Sequence, residues 1–134
     1  MSAVRYFLDT HILLWWLEKN PRLSLEQRRV LDDIENNKPF GVSDITLVEI
    51  GCLVSAGRVR LDRELQEWLR RATSEPVVRL SRITPAVVVE VSRLPDTFHR
   101  DPADRIITAT TKLEKATLLT QDRKIIDSGV VRTL

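Results

Sequence analysis

Apolar runs of strand length alternate with runs of helix length from one end of the chain to the other. Val4 to Leu8 reads as a short strand. The run Ile12 to Leu17 behind it is apolar nearly all round, the pattern of a buried or interface helix, and Asn20-Pro21 ends it. Ser24-Leu25-Glu26-Gln27 opens a second helix with Leu25, Val30, Leu31 and Ile34 on one face, and Asn36-Asn37-Lys38-Pro39 is a turn. Phe40 to Val42 follows as a strand, and Ser43 or Asp44 can cap a helix from about Ile45 to Ser55 that Gly57 stops. Asp62 to Ala72 is amphipathic, with Leu65, Trp68 and Leu69 facing in, and Val77 to Leu80 is a strand. Thr84-Pro85 opens a helix through Val91 that Leu94-Pro95 closes, and the next helix runs from Pro102 to about Leu113. Thr117 to Thr120 is a strand, Asp122 can cap a short helical turn, and Val130-Val131 suggests a last strand.

This alternation, with no linker, repeat or low-complexity stretch, predicts one α/β domain over residues 1–134 with a parallel sheet and helices on both faces. In such sheets the functional cleft lies beyond the carboxyl ends of the strands, where strand order reverses. Several acids fall there. Asp9 follows the first strand, Asp122 follows the strand ending at Leu119-Thr120, and Asp104 opens a helix whose N-terminus should point at the same edge. In Asp101-Pro102-Ala103-Asp104, both carboxylates sit where a helix dipole favours negative charge. Each of these acids also has a plain reading as a helix cap. Glu49 is different: in the apolar run Leu47 to Val54 it must reach solvent, find a basic partner or bind something.

Composition narrows the chemistry. With 134 residues, 43% hydrophobic and 30% charged, the chain can bury a core and is no disordered segment. A net charge of +2 permits a nucleic-acid partner without requiring one. Cys52 alone excludes an internal disulfide, and with two histidines it leaves too few soft ligands for structural zinc. No apolar run is long enough to span a bilayer and the apolar start is too short for a leader, so a cytoplasmic protein with no membrane association is expected.

Carboxylates converging on one cleft repel at about 1 kcal/mol per pair at 4 Å in water and about 4 at an intermediate dielectric. A cation must neutralise such a cluster or protons must be taken up, and with oxygen ligands only the cation should be hard, Mg²⁺ or Mn²⁺. That arrangement suits phosphodiester hydrolysis without a dedicated nucleophile. Arg100, Arg105 and Arg123 lie beside the acids and are candidates to hold nucleic-acid phosphates, or to serve as solvated charges pairing with the cluster. His99 reads as structural or RNA-facing rather than as a general base. Trp15, Trp16 and Trp68 read as core, the first pair leaving surface for a second protein, and Cys52 reads as a small buried apolar residue.

The pieces Phe-Leu-Asp-Thr-His-Ile-Leu-Leu-Trp (7–15), Val-Ser-Asp-Ile-Thr-Leu-Val-Glu-Ile (42–50), Gly57 to Leu61, Leu94-Pro95, His-Arg-Asp-Pro-Ala-Asp-Arg-Ile-Ile-Thr-Ala-Thr (99–110) and Leu-Leu-Thr-Gln-Asp-Arg-Lys-Ile (118–125) occur in order and almost end to end. With that set the sequence resembles the PIN-domain ribonucleases, and within them the VapC-type toxins of toxin–antitoxin pairs. The resemblance implies an α/β/α sandwich with a central, mostly parallel sheet and a Mg²⁺- or Mn²⁺-dependent endoribonuclease. It carries the four family acids onto Asp9, Glu49, Asp104 and Asp122. Asp101 is an extra acid that completes the site or caps the helix, and a supporting role is favoured. Thr10 and Thr120 look like hydroxyls that orient the carboxylates. The resemblance also implies a homodimer, and an antitoxin whose tail covers the cleft. Val48, where Trp is common, and Thr111, where alanine is common, depart from the subgroup in packing only. The competing reading is a catalytically inactive PIN-like module that binds RNA or protein. A phosphoacceptor receiver domain or an Asp-nucleophile phosphatase would want a second acid close behind Asp9, where Thr10-His11 stands.

Overall fold

The computed structural model describes residues 3–134. Met1 and Ser2, part of the expected 1–134 domain and of the start read as too short for a leader, lie outside the described residues. The elements are β1 (Tyr6–Leu8), α1 (Thr10–Leu17), α2 (Leu25–Asp32), α3 (Ile34–Asn37), β2 (Phe40–Ser43), α4 (Asp44–Ser55), α5 (Leu65–Ala72), β3 (Val78–Ser81), α6 (Pro85–Ser92), α7 (Pro102–Leu113), β4 (Thr117–Leu119), α8 (Arg123–Ser128) and β5 (Arg132–Thr133).

The five strands form one sheet in the order β3-β2-β1-β4-β5, and every adjacent pair is parallel. Strand order therefore reverses between β1 and β4, whose carboxyl ends carry Asp9 and Thr120. Side chains alternate across the sheet as the strand period requires. Leu8 and Leu119 enter a core with Ile12 and Leu13 of α1, Leu31 of α2, Ile50 of α4 and Trp68 of α5. Phe7 and Leu118 enter a second core with Leu94, Phe98, Ile107 of α7 and Ile125 of α8. Burying each such side chain stabilises the fold by about 1.5–3 kcal/mol. Two filled faces make the three-layer α/β/α sandwich. Gly41 is dictated by this packing: opposite Phe7 in the ladder, its Cβ would come within 2.5 Å of the Phe7 ring.

Local rules account for most element ends. Asp9, Ser24, Ser43, Glu64, Thr84, Asp101 and Asp122 each cap a helix with a side-chain oxygen, and Gly129 closes α8 at φ 64°. Four differences from the sequence reading have physical causes. The helix expected from Asp62 begins at Leu65, because Glu64 accepts the Glu67 N–H at 2.9 Å. Ile34–Asn37, expected in part as a turn, closes one helical turn capped by Asp33. The last strand lies at Arg132–Thr133, where it pairs with Thr117 and Leu118, while Val130 and Val131 pack against the second core. Cys52, expected buried, is exposed on the outer side of α4, with Thr46 and Ile50 supplying the buried side. Trp68 is buried, and Trp15 and Trp16 are half-buried against the first core. Among the described residues, no helix is long and apolar enough to cross a membrane.

Candidate active site

Asp9, Thr10, Glu49, Asp101, Asp104 and Asp122 line one cavity of about 380 Å³, together with His11, Trp15, Arg22 and Gln121. The cavity lies where strand order reverses. Asp9 leaves β1 with its N–H bonded to the Leu119 carbonyl of β4 at 3.2 Å. Its Oδ1 caps α1 through the Ile12 N–H at 2.9 Å, and its Oδ2 accepts the Thr120 hydroxyl at 2.5 Å. Burial pushes the Asp9 carboxyl above its ordinary value. The bonds from Thr120 and Ile12 and the nearby His11 oppose that push, and Asp122 adds to it. Capping and cavity-lining are thus one placement, not alternatives.

Glu49 reaches the same cavity from α4. The Thr10 hydroxyl donates to its Oε1, and Thr10 in turn meets the buried Thr46 hydroxyl at 3.1 Å. The carboxylate is held by two threonine hydroxyls in series, and among the described residues it has no basic partner. Thr46 was not singled out in the sequence, although it stands one helical turn before Glu49 on the same side.

Asp101 and Asp104 open α7. Asp101 Oδ1 accepts the N–H groups of Ala103 and Asp104 at 2.9 and 3.2 Å. The Asp104 carboxyl is pushed up to about 7, first by burial, then by Asp101, with Asp122 and Glu49 adding and His99 opposing. His99, read from the sequence as structural or RNA-facing rather than as a general base, sits between two of the acids. Its Nε2 lies 2.8 Å from Asp104 Oδ2 and 3.1 Å from Asp122 Oδ2. Its Nδ1 accepts the Asp101 N–H at 3.3 Å, which in the neutral ring leaves the proton on Nε2, facing the two carboxylates. Phe98 stacks on the ring at 5.6 Å, and Arg105 spends its guanidinium on the Phe98 and His99 carbonyls and the Phe98 face.

Asp122 caps α8 through the Lys124 N–H at 2.9 Å, and its own N–H donates to Thr120 Oγ1 at 3.0 Å. The loop holding both is locked by Gln27, which is buried and donates to the carbonyls of Thr120 (3.0 Å) and Leu134 (2.8 Å). In the sequence Gln27 stood out only as part of the stretch that opens the second helix, where the structure shows it completing a capping box with Ser24.

None of the three arginines singled out by position lines this cavity. Arg105 faces the Phe98–His99 backbone, Arg123 pairs with Asp127 at 2.8 Å, and Arg100 lines a neighbouring hollow with Lys124. Arg22, from the irregular loop between α1 and α2, lines it instead, and no local pattern marks that residue.

By chemistry the cavity suits a hard divalent cation: five carboxylates line it, threonine hydroxyls hold two of them, and two of the carboxyls are held above their ordinary range. Among the described residues the ligand atoms that lie within 4.8 Å of one another are those of His99, Asp104 and Asp122, and Asp9, Glu49 and Asp101 stand outside that group.

Comparison with known proteins agrees with this architecture. Ribonuclease VapC22 of Mycobacterium tuberculosis (strain ATCC 25618 / H37Rv) is 33% identical over 118 residues, covering 88% of this chain and 87% of that one. The solved structure of VapBC2 from Rickettsia felis bound to a promoter DNA fragment superposes with a TM-score of 0.72 at 18% identity, covering 96% of both chains. A toxin–antitoxin complex from Klebsiella pneumoniae does so at 0.66 and 17%, covering 99% of this chain and 96% of that chain. The family model described as PIN domain matches residues 6–129, from the first residue of β1 to the glycine that closes α8, and this chain therefore belongs to the PIN-domain family.

Proposed function

We propose that this chain is a divalent-cation-dependent endoribonuclease, the toxin of a toxin–antitoxin pair, working as one domain over residues 1–134. The observation that carries the reading is the meeting of Asp9, Glu49, Asp101, Asp104 and Asp122 around one cavity at the point where strand order reverses. The similarity to a protein named as a ribonuclease supports the substrate class, and the likeness to toxin–antitoxin complexes supports an antitoxin partner. Apolar side chains left exposed on α4 and α6, Val48, Val88 and Val89, suit a homodimer.

In this reading Asp9, Glu49, Asp104 and Asp122 hold the ion, and Asp101 supports them from the cap of α7. Mg²⁺ or Mn²⁺ held there would supply charge neutralisation at the phosphate oxygens and a more nucleophilic water. The chain's own part is preorganisation. Thr120 and the Ile12 N–H fix Asp9, and Thr10 and Thr46 fix Glu49. The His99 Nε2–H keeps Asp104 and Asp122 facing each other despite their like charge. The test is purified protein with structured RNA and Mg²⁺ or Mn²⁺, against EDTA and Asp9→Ala controls. Cleavage lost in both controls is expected. RNA or antitoxin binding with no metal-dependent cleavage would return the inactive-module reading.

A further inference from the structure

We propose that His11, Trp15 and Arg22 form a nucleobase subsite on the rim of the acidic cavity, a stacking wall for an unpaired RNA base beside the bond that is cut. The inference rests on the ribonuclease reading above and adds where the strand is gripped.

His11 and Trp15 stand one helical turn apart on the same side of α1. The exposed His11 ring meets the Trp15 indole at 5.8 Å and 53°, and the Arg22 guanidinium lies over that indole, 5.9 Å from its centroid. Trp15 is half-buried against the core behind it, so the wall has a rigid back. All three side chains line the cavity that the carboxylates line.

The loop that presents Arg22 is fixed from two sides. Its N–H donates to Asn20 Oδ1 at 2.9 Å, and its carbonyl accepts from Gln121 Nε2 at 2.7 Å, one residue before Asp122. Among the described residues Arg22 has no carboxylate partner and its guanidinium rests on the Trp15 indole, so its charge stays available to an incoming group. A cavity of carboxylates repels a polyanion, and a cation beside the exposed His11 ring and the half-buried Trp15 indole at its mouth reverses that locally. Every base offers a π-face, so the wall accepts an unpaired nucleotide without reading its edge.

The full chain, held in EDTA so that nothing is cut, is titrated with a short single-stranded RNA that it cleaves in metal. The same RNA carrying one abasic nucleotide at successive positions is titrated in parallel. The proposal expects tryptophan emission to be quenched, the quench to be lost in Trp15→Phe and kept in Trp68→Phe. One abasic position next to the cleaved bond should weaken binding about 5- to 100-fold. That position should cease to matter in His11→Ala and Arg22→Gln, which alter exposed side chains and leave the core intact. Equal affinity for every abasic RNA, or an unchanged quench in Trp15→Phe, overturns the subsite while the ribonuclease reading survives. A Trp15 signal moved by the protein partner but by no RNA assigns the wall to docking and also overturns it. No cleavage of any RNA with Mg²⁺ or Mn²⁺ overturns both.

Discussion

Two hollows of the molecule meet at His99. The larger, about 710 Å³, is walled by Pro95 to Arg100 and by Lys124, Asp127, Ser128 and Val130, His99 among them. The smaller, about 380 Å³, is the acidic cavity, whose Asp104 and Asp122 hydrogen-bond with the same imidazole. Size favours the first. Its charges, however, are ordinary: Asp96 and Lys124 are exposed, and Asp127 is satisfied by Arg123. In the second, burial holds two carboxyls above their usual range and three further acids crowd them. Like charges crowded under burial are costly, which is why the electrostatic cost, and not the volume, marks the candidate site.

Substitutions on the two sides of His99 can break this contrast. Asp104→Asn should cut RNA cleavage by more than about 100-fold, since even groups that only orient a metal ligand are worth 10–100-fold. Its melting temperature should hold or rise, because one of several crowded like charges is removed. Lys124→Ala in the larger hollow should leave the rate close to that of the unaltered chain. Equal losses in the two would mean that the hollows do not differ as described.

Thr120→Val deletes the hydroxyl that holds Asp9 and receives the Asp122 N–H. Calorimetry should show Mn²⁺ binding weakened by roughly 10- to 100-fold, with thermal stability changed far less.

Acidity offers a third test. Asp104 takes up its proton near 7 when folded, against 3.8 for the ordinary carboxyl. Between those values the folded state binds more protons than the unfolded one, so metal-free stability should fall as pH rises through that window and level off above it. Mn²⁺ competes with that proton, so its stabilising effect should grow over the same range, and Asp104→Asn should flatten both curves. A metal-free melting temperature that rises from pH 5 to 8 would falsify the assignment of the raised carboxyl. The smallest effect is expected for Arg123→Ala, which breaks a surface ion pair with Asp127 and should change urea stability by less than about 1 kcal/mol.

What the sequence determined by itself was local. Strand and helix order, and the acids that end strands or begin helices, follow from apolar periodicity and capping, which depend on residues within a turn of one another. Asp9, Asp101, Asp104 and Asp122 were legible for that reason, and Glu49 because a lone carboxylate in an apolar helix needs an explanation. Tertiary structure decided the partners. Thr10 meets Glu49 across 39 residues and Thr120 meets Asp9 across 111, because the sheet order sets β4 beside β1. The same holds for the cations. Arg105 and Arg123 each follow an acid directly, yet one residue along a helix is a rotation of about 100°, and both guanidinium groups point elsewhere. Arg22 lines the cavity instead and His99 reaches two of its acids, both from loops without a repeating pattern, since only the folded backbone fixes where an irregular segment aims its side chains.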